Sequence, residues 1–234
     1  MDLTTVDHLL TTTRSVRRRL DLTRAVDLRV VRKCIEIAMQ APTGSNSQGW
    51  HFLVVTDAGK RAAIAHLYRT AFEAYRQSND DAPQLRETDP RRAQTLRILD
   101  SASYLAQHLH EVPLFVIAAV DGRVENMPVI MQASVYGSIL PSVWSLMLAL
   151  RARGLGSAWT TLHLGFEKAV GEILEIPDDV TQVALLPVAH FLGTDFKPAR
   201  RLPASNVIHW NTWDVRDCPD GGAARQASEV SEAR

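Results

Sequence analysis

The stretch from Val129 to Leu150 constrains this chain most, because it is apolar on more surface than one helix face can use. Val135, Ile139, Val143, Leu146, Met147 and Leu150 recur at helical spacing, which predicts a helix over about Met127–Arg153. Gln132, Tyr136, Gly137, Pro141 and several serines interrupt the run, so it reads as a buried helix rather than a bilayer span. Pro141 removes one backbone donor and crowds the carbonyl of Gly137, which predicts a kink there. A helix with this much apolar surface must lie at the centre of a fold or in an interface between chains. Gly154 follows it as a candidate left-handed cap.

The rest of the 234 residues can be arranged around that helix as one domain. A short helix is expected over residues 2–13, and a second from an Asp27 N-cap to about Gln40, with Val31, Cys34, Ile35 and Ala38 on one side. Ala41-Pro42 ends it. Trp50–Val55 reads as a strand, residues 58–77 and 93–110 as helices, and the unbroken apolar run Leu114–Val120 as a central strand. Ser157–Leu162 is expected to be extended and Glu167–Glu175 to be a short helix. Val183–Phe191 reads as a strand, where Pro187 suggests an edge or a bulge. The polar excursion Gln77–Arg92 is a candidate lid. Residues 1–213 form the expected domain, and 214–234 a mobile tail. Helices and strands alternate irregularly, so an α+β fold is favoured over a doubly wound parallel sheet.

Several chemistries are excluded or disfavoured. Formal net charge is zero, which argues against nucleic acid or an anionic membrane as partner. Cys34 and Cys218 are too few for a disulfide framework or a thiolate metal site, and with no signal-like N-terminus a cytoplasmic setting is expected. His108 and His110, two apart, point to different helix sides and make poor metal ligands. Neither a P-loop nor a dinucleotide fingerprint follows a strand.

Three features could bind a ligand, though each has a commoner structural explanation. Arg14-Ser15-Val16-Arg17 places two guanidinium forks and a hydroxyl close together, suited to phosphate oxygens, yet arginine-rich stretches are usually solvated faces. Ala41–Gln48 is a loop dense in donors and acceptors, which a plain turn would also explain. Trp159-Thr160-Thr161 could present hydroxyls and amides to a ring edge, or simply fill a strand.

Taken together, these features resemble the nitroreductase superfamily of flavoproteins, including its iodotyrosine deiodinase-like branch. The resemblance rests on R-S-x-R at Arg14–Arg17, the A-P-T-x-x-N-x-Q-x-W-x-F run at Ala41–Phe52, and a long helix closing in G-L-G at Gly154–Gly156. Leu185-Leu186-Pro187-Val188, followed by Lys197, Arg200 and Arg201, and then His209-Trp210, continue it to about residue 213. The resemblance implies an α+β homodimer with a central, mostly antiparallel sheet flanked by helices, the long central helix at the dimer interface, and FMN bound between subunits. It implies that Arg14, Ser15 and Arg17 hold the phosphate, ribityl chain and pyrimidine edge, with Arg200 or Arg201 completing the phosphate site. Pro42, Thr43, Asn46 and Gln48 would reach the flavin from the other subunit. Trp159, Thr160 and Thr161 would lie beside flavin N5, although Trp159 and Leu162 differ from the family's flanking residues. The implied activity is transfer of reducing equivalents from NADH or NADPH through FMN to a small organic acceptor such as a nitroaromatic or quinone, with no catalytic acid or nucleophile from the protein. The alternatives are a flavin-sequestering protein without turnover and a specialised flavin dehydrogenase or dehalogenase.

Overall fold

The computed structural model describes residues 1–78 and 88–216. The chain divides into two compact units, Met1–Lys197 and Pro198 onward. The first unit contains α1 (Leu3–Thr12), α2 (Leu28–Ala38), β1 (Trp50–Val55), α3 (Ala58–Ser78), α4 (Arg92–His108), β2 (Leu114–Asp121), α5 (Val129–Arg151), β3 (Leu155–Ser157), α6 (Glu167–Leu174) and β4 (Val180–His190). The four strands form one antiparallel sheet in the order β1-β2-β4-β3, so the fold is α+β as expected.

The continuous apolar run of β2 is explained by its place between β1 and β4, where both faces are covered. Leu114, Val116, Ala118 and Val120 join α2 and α5 in one core, while Phe115 and Ile117 join α3 and α4 in the other. That alternation follows from the two-residue period of a strand. α2 begins where the Asp27 carboxylate accepts from Arg29 N at 2.9 Å, and it turns Val31, Cys34 and Ala38 inward. Ser142 Oγ of α5 donates to the Ala38 carbonyl at 2.8 Å and fixes the two helices together.

α5 runs unbroken through Pro141 and is long and apolar enough to cross a membrane on those two criteria alone. Within the fold it is a core helix on one side only: Ile139, Val143, Leu146 and Leu150 are fully buried, whereas Val129 and Ile130 are 80% and 77% exposed and Trp144 is 40% exposed. Gly154 lies two residues past the cap, at a left-handed φ of 74°, and turns the chain into β3.

The expectation for Pro187 needs correction. β4 is an interior strand, flanked by β2 and β3, and the irregularity in its pairing falls opposite Ala118/Ala119 rather than at the proline. Leu185 N donates to Thr160 O, and alternate amides on a strand point the same way, so the nitrogen of Pro187 also faces that side. There β3 has ended at Ser157 and pairing resumes only at Thr160, so the missing N–H falls in a gap.

Of the candidate lid, Gln77 and Ser78 close α3, Thr88–Pro90 form a turn, and Arg91 and Arg92 start α4. Asp89 accepts from Arg91, which holds its carboxyl down at about 2. The remainder of that segment, 79–87, and most of the expected tail, 217–234, lie outside the described residues. In the second unit His209 stacks on Trp213 at 4.3 Å, and Trp210 N donates to Val215 O at 2.7 Å.

Candidate functional site

Arg14–Arg17 lies along the open edge of the sheet. Val16 N donates to Ser157 O at 2.9 Å, which pairs Ser15 with Ser157 in a parallel bridge. Val16 and Leu20 are buried beneath it. Gly156 permits the approach, since a Cβ there would stand 3.0 Å from Val16 Cβ. With Val16 turned inward, Ser15 is exposed and Arg14 and Arg17 are partly buried. Arg14 Nη1 donates to the Lys197 carbonyl at 2.9 Å, leaving most of its five N–H groups for other acceptors. The loop that ends in Lys197 is itself held by Arg19, which donates to Leu192 O at 2.6 Å and Asp195 O at 2.9 Å and lies 4.0 Å over Phe196.

Arg17 is the unusual member. Its Nη1 donates to Ser101 Oγ at a long 3.5 Å, and among the described residues no carboxylate pairs with it. Burial lowers its pKa below the ordinary guanidinium value, against an opposing pull from Tyr68. Arg18, next in the chain, takes the acid instead. It holds Asp100 bidentately at 2.9 and 3.2 Å and lies 4.8 Å over the Tyr104 ring. A largely desolvated guanidinium without a counter-charge costs several kcal/mol, on the order of what a bound anion would return.

The strip after β3 meets this group. Thr160 exchanges both backbone hydrogen bonds with Leu185, and its Oγ1 donates to the same Leu185 carbonyl at 2.7 Å. The Thr160 hydroxyl proton is therefore committed within the fold. Thr161 is exposed, and Trp159 packs on the α2/α5 side.

Pro42–Gln48 is built differently. Gly44 N donates to Ser138 Oγ of α5 at 2.9 Å, Gln48 N donates to Thr43 Oγ1 at 3.3 Å, and Gln48 Nε2 donates to Asn46 Oδ1 at 3.0 Å. Ser45, Asn46 and Gln48 all take left-handed φ, at 51°, 55° and 51°. Pro42, Asn46 and Gln48 are exposed and Thr43 is half-buried. Left-handed backbone at non-glycine residues costs on the order of 1–2 kcal/mol each and gathers at functional loops.

The structure thus brings Arg14, Ser15, Arg17 and Thr160 to one sheet edge. It anchors Pro42–Gln48 to α5, on the opposite face, with no hydrogen bond between the two groups among the described residues. Arg200 and Arg201 are exposed in the second unit. Sequence reasoning missed Ser101, which lies on α4 and carries no motif of its own.

The family model of the Nitroreductase family matches residues 10–190. The chain belongs to this family. Among curated relatives, a 4-nitrobenzoate reductase of Nocardioides sp. (strain LMS-CY) is 28% identical over 197 residues, 76% of each chain. Among solved structures, an iodotyrosine deiodinase bound to FMN and 3-iodo-L-tyrosine superposes with a TM-score of 0.65 at 20% identity, over 89% of this chain and 99% of that one. A BluB-like flavoprotein from Clostridium difficile 630 gives 0.64 at 16% identity, over 91% and 100%. The nitroreductase-like fold therefore extends across nearly the whole chain.

Proposed function

We propose that this chain is an FMN-dependent oxidoreductase that takes reducing equivalents from NADH or NADPH and passes them to a small organic acceptor, such as a nitroaromatic or a quinone, as a homodimer. The observation that carries the reading is Arg17, a partly buried guanidinium that pairs with no carboxylate among the described residues. The residues at this edge fit FMN. Arg14 and Ser15 offer several donors to a phosphate and ribityl chain, and Arg17 a charge to an electron-rich ring edge. Arg200 or Arg201 would add to the phosphate site. Pro42, Thr43, Asn46 and Gln48 would come from the second subunit, in keeping with their anchorage on the opposite face of their own sheet. Trp159, Thr160 and Thr161 would line the ring edge. Because Thr160 has spent its hydroxyl proton on Leu185, Thr161 is the side chain left to donate there.

The bound flavin supplies the electron chemistry, accepting and releasing two electrons. The chain's own part is to hold charge opposite the ring, exclude water and shape access. The relative's name, 4-nitrobenzoate reductase, and the FMN bound by the deiodinase are consistent with this assignment. A homodimer explains the bare side of α5. Val129, Ile130, Met131, Leu140 and Trp144 are exposed along it, and fully burying such a side chain contributes roughly 1.5–3 kcal/mol.

The purified chain, reconstituted with FMN, is expected to absorb at about 375 and 450 nm, where bound flavins do. It should bleach with NADH or NADPH under nitrogen, recolour with an added nitrofuran or menadione, and give parallel-line (ping-pong) kinetics. A colourless protein that ignores FMN refutes the assignment. Retained flavin that no nicotinamide reduces leaves a flavin-sequestering protein instead. Sedimentation at micromolar concentration tests the dimer.

A further inference from the structure

The carbonyl that receives Arg14 belongs to a loop that retraces the arginine motif. β4 ends at His190, whose carbonyl accepts from Asp21 N at 2.7 Å, and Leu20 and Phe191 form an antiparallel bridge. The chain then turns at Gly193, where φ is 82°. Leu192 N donates to Arg19 O at 2.8 Å, and Lys197 O accepts from Arg14 Nη1 at 2.9 Å. Residue 192 thus lies against 19, and residue 197 against 14. The Arg19 side chain ties this turn together. Its Nε donates to Leu192 O at 2.6 Å and its Nη1 to Asp195 O at 2.9 Å, while its guanidinium lies 4.0 Å from the centre of the Phe196 ring. A Cβ on Gly193 would stand 2.7 Å from Arg19 Nη2, so the turn closes on the guanidinium only with glycine there.

The same loop is braced from its other side by charge. Asp195 Oδ1 pairs with Arg151 and accepts from Phe196 N at 2.7 Å, and His8 Nε2 reaches Asp195 Oδ2 at 2.9 Å. Arg19 forms no ion pair among the described residues. Its fork is spent on two backbone carbonyls and a ring face, so it is turned toward the chain rather than toward a ligand. Arg14 makes one such bond and keeps the rest of its fork free.

From this geometry we infer that Arg19 is a positioning residue for Arg14. It fixes the loop so that the Lys197 carbonyl aims the Arg14 guanidinium at the phosphate of FMN. The inference rests on the FMN reading above. Arg19 touches neither phosphate nor ring in this account and acts only through Arg14. A guanidinium that is already held loses less freedom on binding, so loosening the loop should cost affinity. Lysine cannot replace Arg19, because an ammonium lacks the planar fork that meets two carbonyls and a ring at once. The effect is confined to the phosphate end. Riboflavin, which has the ring and ribityl chain without the phosphate, should not sense it.

The test compares dissociation constants for FMN and riboflavin, read by quenching of flavin fluorescence on the full chain stripped of flavin. Arg19→Met should weaken FMN binding about tenfold and leave riboflavin binding unchanged. Arg19→Lys, which keeps the charge without the fork, should lose nearly as much. Arg14→Met should lose more, and adding Arg19→Met to it should cost nothing further, because coupled residues are non-additive. Equal losses for both flavins, full FMN affinity in Arg19→Lys, or additive losses in the double variant each overturn the role of Arg19 alone. Should Arg19→Met fail to fold, Gly193→Ala crowds the same guanidinium and should weaken FMN selectively. A folded Gly193→Ala chain with wild-type affinity for both flavins overturns the inference equally. A wild-type chain that binds neither flavin overturns the parent reading as well, and shows before any variant is made.

Discussion

The sheet edge around Arg17 and the loop around Asn46 each hold a strained arrangement, but the strain is of different kinds. At the sheet edge it is electrostatic, a partly buried guanidinium that pairs with no carboxylate among the described residues, and strain of the same kind recurs at His163 after β3, fully buried with neither ring nitrogen partnered. In the loop it is conformational: three non-glycine residues at left-handed φ, exposed to solvent. The contrast teaches that one half of the candidate site is pre-formed inside each chain, whereas the other half is displayed outward. Charge strain should respond to pH and to bound anions. Dihedral strain should respond to neither.

The largest effect expected is at His163. Burial lowers its pKa from 6.5 to about 4, against the partial pull of Glu167. The folded chain therefore stays unprotonated while the unfolded chain takes up a proton, so stability falls as pH drops from about 6.5 to 4 and levels off below that. The loss amounts to about 3 kcal/mol by that shift. His163→Leu should flatten the pH dependence of urea midpoints within this window. An unaltered slope would break the comparison.

Next in size, Arg17→Met should weaken FMN binding by about 100-fold, roughly 2.7 kcal/mol, while leaving the flavin-free chain as stable or more so, because a desolvated charge has gone. Titration and thermal melting on the same protein test the opposite signs. Ser138→Ala removes the acceptor of Gly44 N and should cost about 1–2 kcal/mol, independent of pH. Smallest is Ser45→Gly, which relieves one left-handed residue and should stabilise the flavin-free chain by about 1 kcal/mol or less. A pH-dependent response from either loop variant would blur the distinction.

Much of the fold was legible because periodicity reports burial. The apolar run Leu114–Val120 had to be covered on both faces, and Asp27 before Val31, Cys34 and Ala38 announced a capped helix. Pro187 misled because a missing N–H normally belongs at an edge. Its interior place depends on a gap between Ser157 and Thr160 that only the assembled sheet reveals. Within the site, Arg14, Ser15 and Arg17 stood out by residue type and spacing. Ser101 did not, since a hydroxyl on a helix carries no mark of the arginine it will meet 84 residues away along the chain. The commitment of the Thr160 proton to Leu185 was equally hidden, as was the left-handed backbone at Ser45, Asn46 and Gln48, where no glycine advertises it.

The two-sidedness of α5 bears on how the chain can change over generations. An ordinary surface helix has an outer face on which polar replacements are nearly free. If a second copy covers Ile130, Met131 and Trp144, α5 has no such face, and a lysine there would be as disruptive as one at Leu146. Substitution tolerance along this helix, scanned position by position, would then be uniformly low and lack the 3.6-residue rhythm that a lone chain predicts.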